Sequence, residues 1–245
     1  MTQRARFFIE GTHRCGDTVA FGGSDAHKIR DVLRMKSGDA IEIFDSAATN
    51  FRASLHIAER SVTAHLDEVL AARTAPPRVA ITVAQGVPKG QKMDYVVEKL
   101  TELGAAAIVP LLSEHAVVHE VAPAKLERWR RLARTAAQQC GRSDVPDVRE
   151  PLRFDALVAD FPNFDAVLLA WELASGDAPR ERLPAVLEGV RSILVVIGPE
   201  GGISHREADS AAAAGAHLMS LGGRVLRTET AGLVALSIIG YVLGL

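Results

Sequence analysis

The chain predicts a small antiparallel β-barrel followed by an α/β domain with a mostly parallel sheet. Three observations lead there. Short apolar runs separated by glycines fill the first 72 residues; a proline-containing segment, RTAPP at residues 73–77, comes next; strand-like and helix-like stretches then alternate to the last residue. The expected division is therefore 1–72 and 73–245.

In the first part, runs at 6–10, 18–21, 40–45, 51–57 and 65–69 are bounded by Gly11, Gly22-Gly23, Gly38-Asp39 and Asn50. Strands this short and evenly spaced suit a barrel. Residues 24–34 are the one helix-like interruption, with Ser24 as its cap and Ala26, Ile29, Val32 and Leu33 as its apolar side. Two prolines cannot pair in a sheet, so 73–77 is expected to be a linker.

In the second part the strands are expected at 79–84, 107–111, 166–170, 193–197 and 217–220. Helices are expected at 91–103, 124–140, near 183–190, 204–214 and 229–243. Met93, Val96, Val97, Leu100 and Leu103 share a face of the first helix, which Gly104 ends. In the second, Leu126, Trp129, Leu132, Ala133, Ala136 and Cys140 point inward, opposite Arg128, Arg131, Thr135 and Gln138. Ser204 with Glu207 forms a capping box, and Gly215 suits the turn after that helix. The last helix is apolar almost all round and must be covered on more than one side.

Composition narrows the function classes. Hydrophobic residues at 48% and charged ones at 24% describe a soluble globular chain. Cys15 and Cys140 lie far apart and make no disulfide framework or metal cluster, so a reducing cytoplasm is expected. Arg4 and Arg6 precede an apolar run too short for a signal peptide, and the uncharged final stretch is shorter than the roughly 20 residues a membrane span needs. His115 and His119 have helical ligand spacing but no third ligand, so no metal is expected. Net charge is −2, yet residues 1–36 carry seven Lys/Arg against four acids and residues 124–142 carry six against one. Such patches fit an RNA partner or a solvated charged face.

Two Gly-rich segments carry the chemistry: IGPEGGIS at 197–204 and LGGRVLRTET at 221–230. Each succeeds a strand-like run and precedes a helix, where glycine lets a ligand approach bare backbone. Neither is a P-loop or a dinucleotide fingerprint. Together they suggest one small-molecule pocket made largely of main-chain groups. Glu200 either favours the start of the adjoining helix or faces a cationic ligand. Glu102 is expected to pair with Lys99 or Lys92 on an exposed helix face.

In this order, with residues 7–10, 27–34, Gly38-Asp39, KGQKMDYVVEKLTELG at 89–104, Arg128-Trp129 and QQCGR at 138–142, the loops resemble the RsmE family. These are 16S rRNA (uracil(1498)-N(3))-methyltransferases of the SPOUT class. The resemblance implies a trefoil-knotted methyltransferase domain behind a PUA-like RNA-binding barrel, a homodimer, and S-adenosylmethionine as methyl donor. It assigns the donor site to Leu169, Ala170, Ile197, Gly198, Pro199, Glu200, Gly201, Gly202, Leu221, Gly222, Arg224 and Leu226. Arg227, Glu229 and Arg142 become the catalytic candidates, because a uracil imide needs a base or cations that stabilise negative charge on its ring oxygens. Each also has a bland reading: Glu229 at a helix start, Arg142 at a helix end, Arg227 on a phosphate. Arg4, Arg6, Lys28, Arg30 and Arg34 are the candidate phosphate contacts. Ribose 2′-O-methylation, a non-catalytic RNA-binding assembly factor and a nicotinamide-dependent enzyme are the competing readings.

Overall fold

The structure, a computed structural model, describes residues 5–71, 78–174 and 179–244, the side chains of 179–181 excepted. Arg4 and the expected linker at 73–77 lie outside them. The chain divides into two compact units, Met1–Ala75 with Ala137–Val145, and Pro76–Ala136 with Pro146–Leu245. Residues 137–145, expected in the second half, thus belong to the first unit.

The first unit is a five-stranded sheet of β1 (Arg6–Ile9), β2 (Thr18–Phe21), β3 (Ala40–Asp45), β4 (Asn50–Ile57) and β5 (Val62–Leu70). Its strand order is β1-β3-β4-β5-β2, antiparallel except for the parallel β1–β3 pair. Alternation puts Phe7, Ile41, Ile43, Phe51, Ala53, Ala64 and Leu66 in a closed core. The helical interruption is shorter than expected. Helix α1 (Gly23–His27) passes into a π-helical turn at Lys28–Val32, and the cap position is Gly22, with no side-chain hydrogen bond from Ser24. A wider turn changes the angle between successive side chains, so Ile29 is buried while Val32 and Leu33 are exposed.

The second unit has a seven-stranded parallel sheet with helices packed against it, an α/β fold. Its strands are β6 (Ala80–Gly86), β7 (Ala107–Leu112), β8 (Asp147–Val148), β9 (Leu152–Arg153), β10 (Ala166–Ala170), β11 (Ser192–Ile197) and β12 (His217–Met219). The order is β12-β10-β11-β6-β7-β8, with β9 also on β7. Val83, Ala84, Leu169, Leu194 and Val196 are buried, as strands covered on both faces require.

Helices α2 (Lys92–Glu102), α3 (Pro123–Cys140), α4 (Phe154–Ala159), α5 (Pro179–Val186), α6 (His205–Ala213) and α7 (Thr228–Leu243) complete the chain. In α2, Met93, Val96, Val97 and Leu100 are buried, but Leu103 is exposed because the helix closes there and Gly104 turns away at φ +93°. Trp129 is fully buried in α3, with its indole N–H donating to Asp94 Oδ1 at 3.2 Å. The last turn of α3 departs from the expected faces: Gln138 is buried and Cys140 exposed. That turn lies in residues 137–145, which group with the first unit, so its burial need not follow the face buried in the rest of α3. The capping box of α6 is present in both directions, at 3.2 and 3.1 Å.

Candidate active site

Sheet register assembles the site. Ala170, Ile197 and Met219 are paired neighbours at the carboxyl ends of β10, β11 and β12. The segments leaving them are therefore delivered side by side, at the edge where parallel sheets place ligands. They enclose a cleft of about 850 Å³. From the first loop, Ile197, Gly198, Pro199, Glu200, Gly201 and Gly202 line it; from the second, Leu221, Gly222, Arg224 and Leu226. Ala170 lines it too, whereas Leu169 is fully buried one residue back in β10.

The first loop is braced on every side. Gly202 N–H donates to Pro199 O at 3.0 Å, and His115 Nδ1 donates to Gly201 O at 3.0 Å. Thr228 Oγ1 donates to Gly198 O at 2.6 Å while accepting from the buried Gln85 Nε2 at 2.8 Å. Glycine is required here by close approach. A Cβ on Gly86 would fall 2.3 Å from Pro199 N, and one on Gly201 would fall 2.7 Å from His115 Cβ.

Two charged residues of the lining, Lys92 and Glu200, meet each other, and Glu229, which is not in the lining, joins them from α7. Lys92 Nζ lies 3.2 Å from Glu200 Oε1 and 3.5 Å from Glu229 Oε2. Burial works to raise the Glu200 carboxyl pKa, but backbone N–H groups of its own residue and Lys89, with the Lys92 ammonium, outweigh it and hold the group below the usual carboxylate range. Glu102 pairs with Lys99, at 2.7 Å. Arg227 lines the cleft at the N-cap of α7.

Arg142 is not in the lining. It is buried in the first unit, with a two-pronged pairing to Asp144 at 3.2 and 2.6 Å. Arg6 is buried as well. It donates to Asn50 Oδ1 at 2.5 Å and Arg142 O at 2.8 Å and stacks over Phe44, so it ties that unit's interior together rather than presenting a surface cation. Arg30 donates to Ala58 O and Ser61 O, Lys28 lies over the Phe7 ring, and Arg34 is exposed in a left-handed conformation at φ +50°.

Trp171, Glu172, Thr228 and Lys92 also line the cleft, beyond the residues that sequence pattern points to. Trp171 and Glu172 are the first residues past β10, so the strand-end logic that selects Ala170 reaches them when carried two residues further. Trp171 is fixed by donation of its indole N–H to Ile203 O at 3.2 Å and by an edge-on contact with His205.

Residues 75–240 match the RNA methyltransferase domain family. The ribosomal RNA small subunit methyltransferase E of Bacillus subtilis is 32% identical over 96% of both chains. The Synechocystis protein of that name is 34% identical over 92% of this chain and 74% of its own. The structure of a ribosomal RNA small subunit methyltransferase E from Neisseria gonorrhoeae, bound to S-adenosyl methionine, superposes with a TM-score of 0.87 at 28% identity, covering 98% of each chain. With a strand-end cleft of two Gly-rich loops and likeness along nearly its whole length, the chain belongs to the ribosomal RNA small subunit methyltransferase E family.

Proposed function

We propose that this protein is an S-adenosylmethionine-dependent methyltransferase of small-subunit ribosomal RNA, and that its target is N3 of a uridine, uracil 1498 by family resemblance. The observation that carries the reading is the cleft itself. The residues fit the donor: main-chain groups of 198–202 and 221–226 suit a neutral purine edge, Ala170, Ile197 and Leu226 suit its ring, and Glu200 suits a cation. When bound, S-adenosylmethionine supplies an electrophilic methyl on a sulfonium sulfur, which retains the electron pair of the broken S–C bond as a neutral thioether.

The protein's part is to orient and to manage a proton. N3 must be deprotonated before it attacks, and the base in this proposal is Glu229, at the start of α7 and 3.5 Å from the lining residue Lys92. Arg227, its neighbour at the cleft, stabilises the charge left on the ring. Arg142, committed to Asp144, takes no part in this proposal. Transfer is direct, without a covalent enzyme intermediate and without a metal.

The expected knot, PUA-like barrel, homodimer and cytoplasmic location belong to the same proposal. Tyr241 on α7 is 89% exposed, which supports burial of that helix against a second copy. Lys28 and Arg34 remain the proposed phosphate contacts on the first unit. The test is mass analysis of nucleosides from small-subunit RNA incubated with protein and labelled donor. A methyl group lost with the base supports N3 chemistry; one retained on the ribose, or no labelling, rejects it.

A further inference from the structure

We infer that Lys92 is a further catalytic residue, one that donates a hydrogen bond to a ring carbonyl oxygen of the target base; the inference rests on the uracil-N3 reading above. Within the segment 89–104, Lys92 is the residue that lines the cleft. Its ammonium is held by carboxylates from two separate segments, Glu200 in the first Gly-rich loop and Glu229 on α7. Its side chain is 40% exposed, so these ion pairs contribute little to stability. Their effect is to aim it. Of the ammonium's three N–H donors, one is used in the hydrogen bond to Glu200 Oε1, and Glu229 Oε2 attracts the charge from 3.5 Å without accepting one, so a donor remains for a ligand.

The spacing matches the chemistry. In uracil, N3 lies between the two ring carbonyls, so a group that takes its proton and a cation that meets the adjoining oxygen must stand side by side. Glu229 Oε2 and Lys92 Nζ are 3.5 Å apart. As Glu229 takes the N3 proton, the electron pair left behind spreads onto that oxygen. The oxygen then becomes a stronger acceptor for the ammonium, while the N3 lone pair forms the new N–C bond. The Lys92 interaction therefore strengthens in the transition state, which raises turnover rather than binding. Among the described residues, the other charged groups lining the cleft are Glu172, Arg224 and Arg227; Glu229 stands behind Lys92, outside the lining.

The experiment compares the wild-type protein with Lys92→Met and Lys92→Arg on small-subunit RNA containing uridine or 5-fluorouridine, whose imide is the more acidic. Donor affinity is read by calorimetry. The expected result for Lys92→Met is a kcat lower by about 100-fold with donor affinity within about threefold of wild type. Lys92→Arg recovers about tenfold of that loss, and the Lys92→Met deficit shrinks on 5-fluorouridine because the anion then needs less help. A kcat within about threefold of wild type, a deficit indifferent to the fluorine, or parallel loss of donor affinity would each overturn the role. A wild-type protein inactive on uridine RNA would instead overturn the functional reading, and this role with it.

Discussion

The two Gly-rich loops look alike in sequence and differ in the fold. Residues 198–202 are pinned by Thr228, His115, Lys89 and Lys92, and Pro199 is buried. In the second loop Gly222, Gly223, Arg224 and Val225 are exposed, Val225 at 87%. Glycine serves close packing in the first. In the second, Gly222 serves conformation, at φ +116° with no atom near its missing side chain. One wall of the cleft is thus preformed and the other is open to adjustment, a division that lowers the ordering cost of binding on one side only.

Four changes would break or sharpen that contrast. Gly201→Ala should be the most damaging, because its Cβ would press on His115 backbone and side chain. Overpacking costs about 1–3 kcal/mol, and we expect donor affinity to fall by more than about tenfold with it, read by denaturant unfolding and calorimetry. Thr228→Val keeps the volume but leaves Gly198 O and Gln85 without that partner; the expected loss is about 1–2 kcal/mol, with Thr228→Ser close to wild type.

Glu200→Gln tests the electrostatic brace. A carboxyl held below its ordinary pKa stabilises the fold above that ordinary value, and the contribution disappears as pH falls through the depressed one. The melting-temperature gap between wild type and Glu200→Gln should therefore be widest near neutral pH and vanish in strong acid. Gly223→Ala should be the mildest change, within about 0.5 kcal/mol, since its Cβ would meet open space. A large loss there would mean the second loop is as constrained as the first.

Elements of four residues or more are legible where burial imposes a period. Residues 166–170 and 18–21 form strands over the expected spans, and α3 begins one residue early. The two-residue strands β8 and β9 are too short to show any period, and the six-residue α4 beside them leaves no clear one either. Local pattern also misassigns faces where backbone geometry changes, as at Val32 in the π-helical turn.

At the site, the loops announce themselves through glycine, whereas partners do not. Lys92 reads as a helix-surface residue four positions from Val96, and its carboxylates lie 108 and 137 positions further along the chain. Arg6 reads as one basic residue among several. Nothing near it in sequence points to Asn50 or to residues 142–143, the partners that bury it.

The close approach of Gly86 to Pro199 has a kinetic corollary. With main chain against main chain, Pro199 cannot move back toward Gly86, so the exposed 221–226 wall is the one left to yield as a ligand comes and goes. Stiffening that wall should lengthen residence time more than it alters equilibrium affinity. Enzyme turnover would then be paced by how quickly the spent nucleoside escapes.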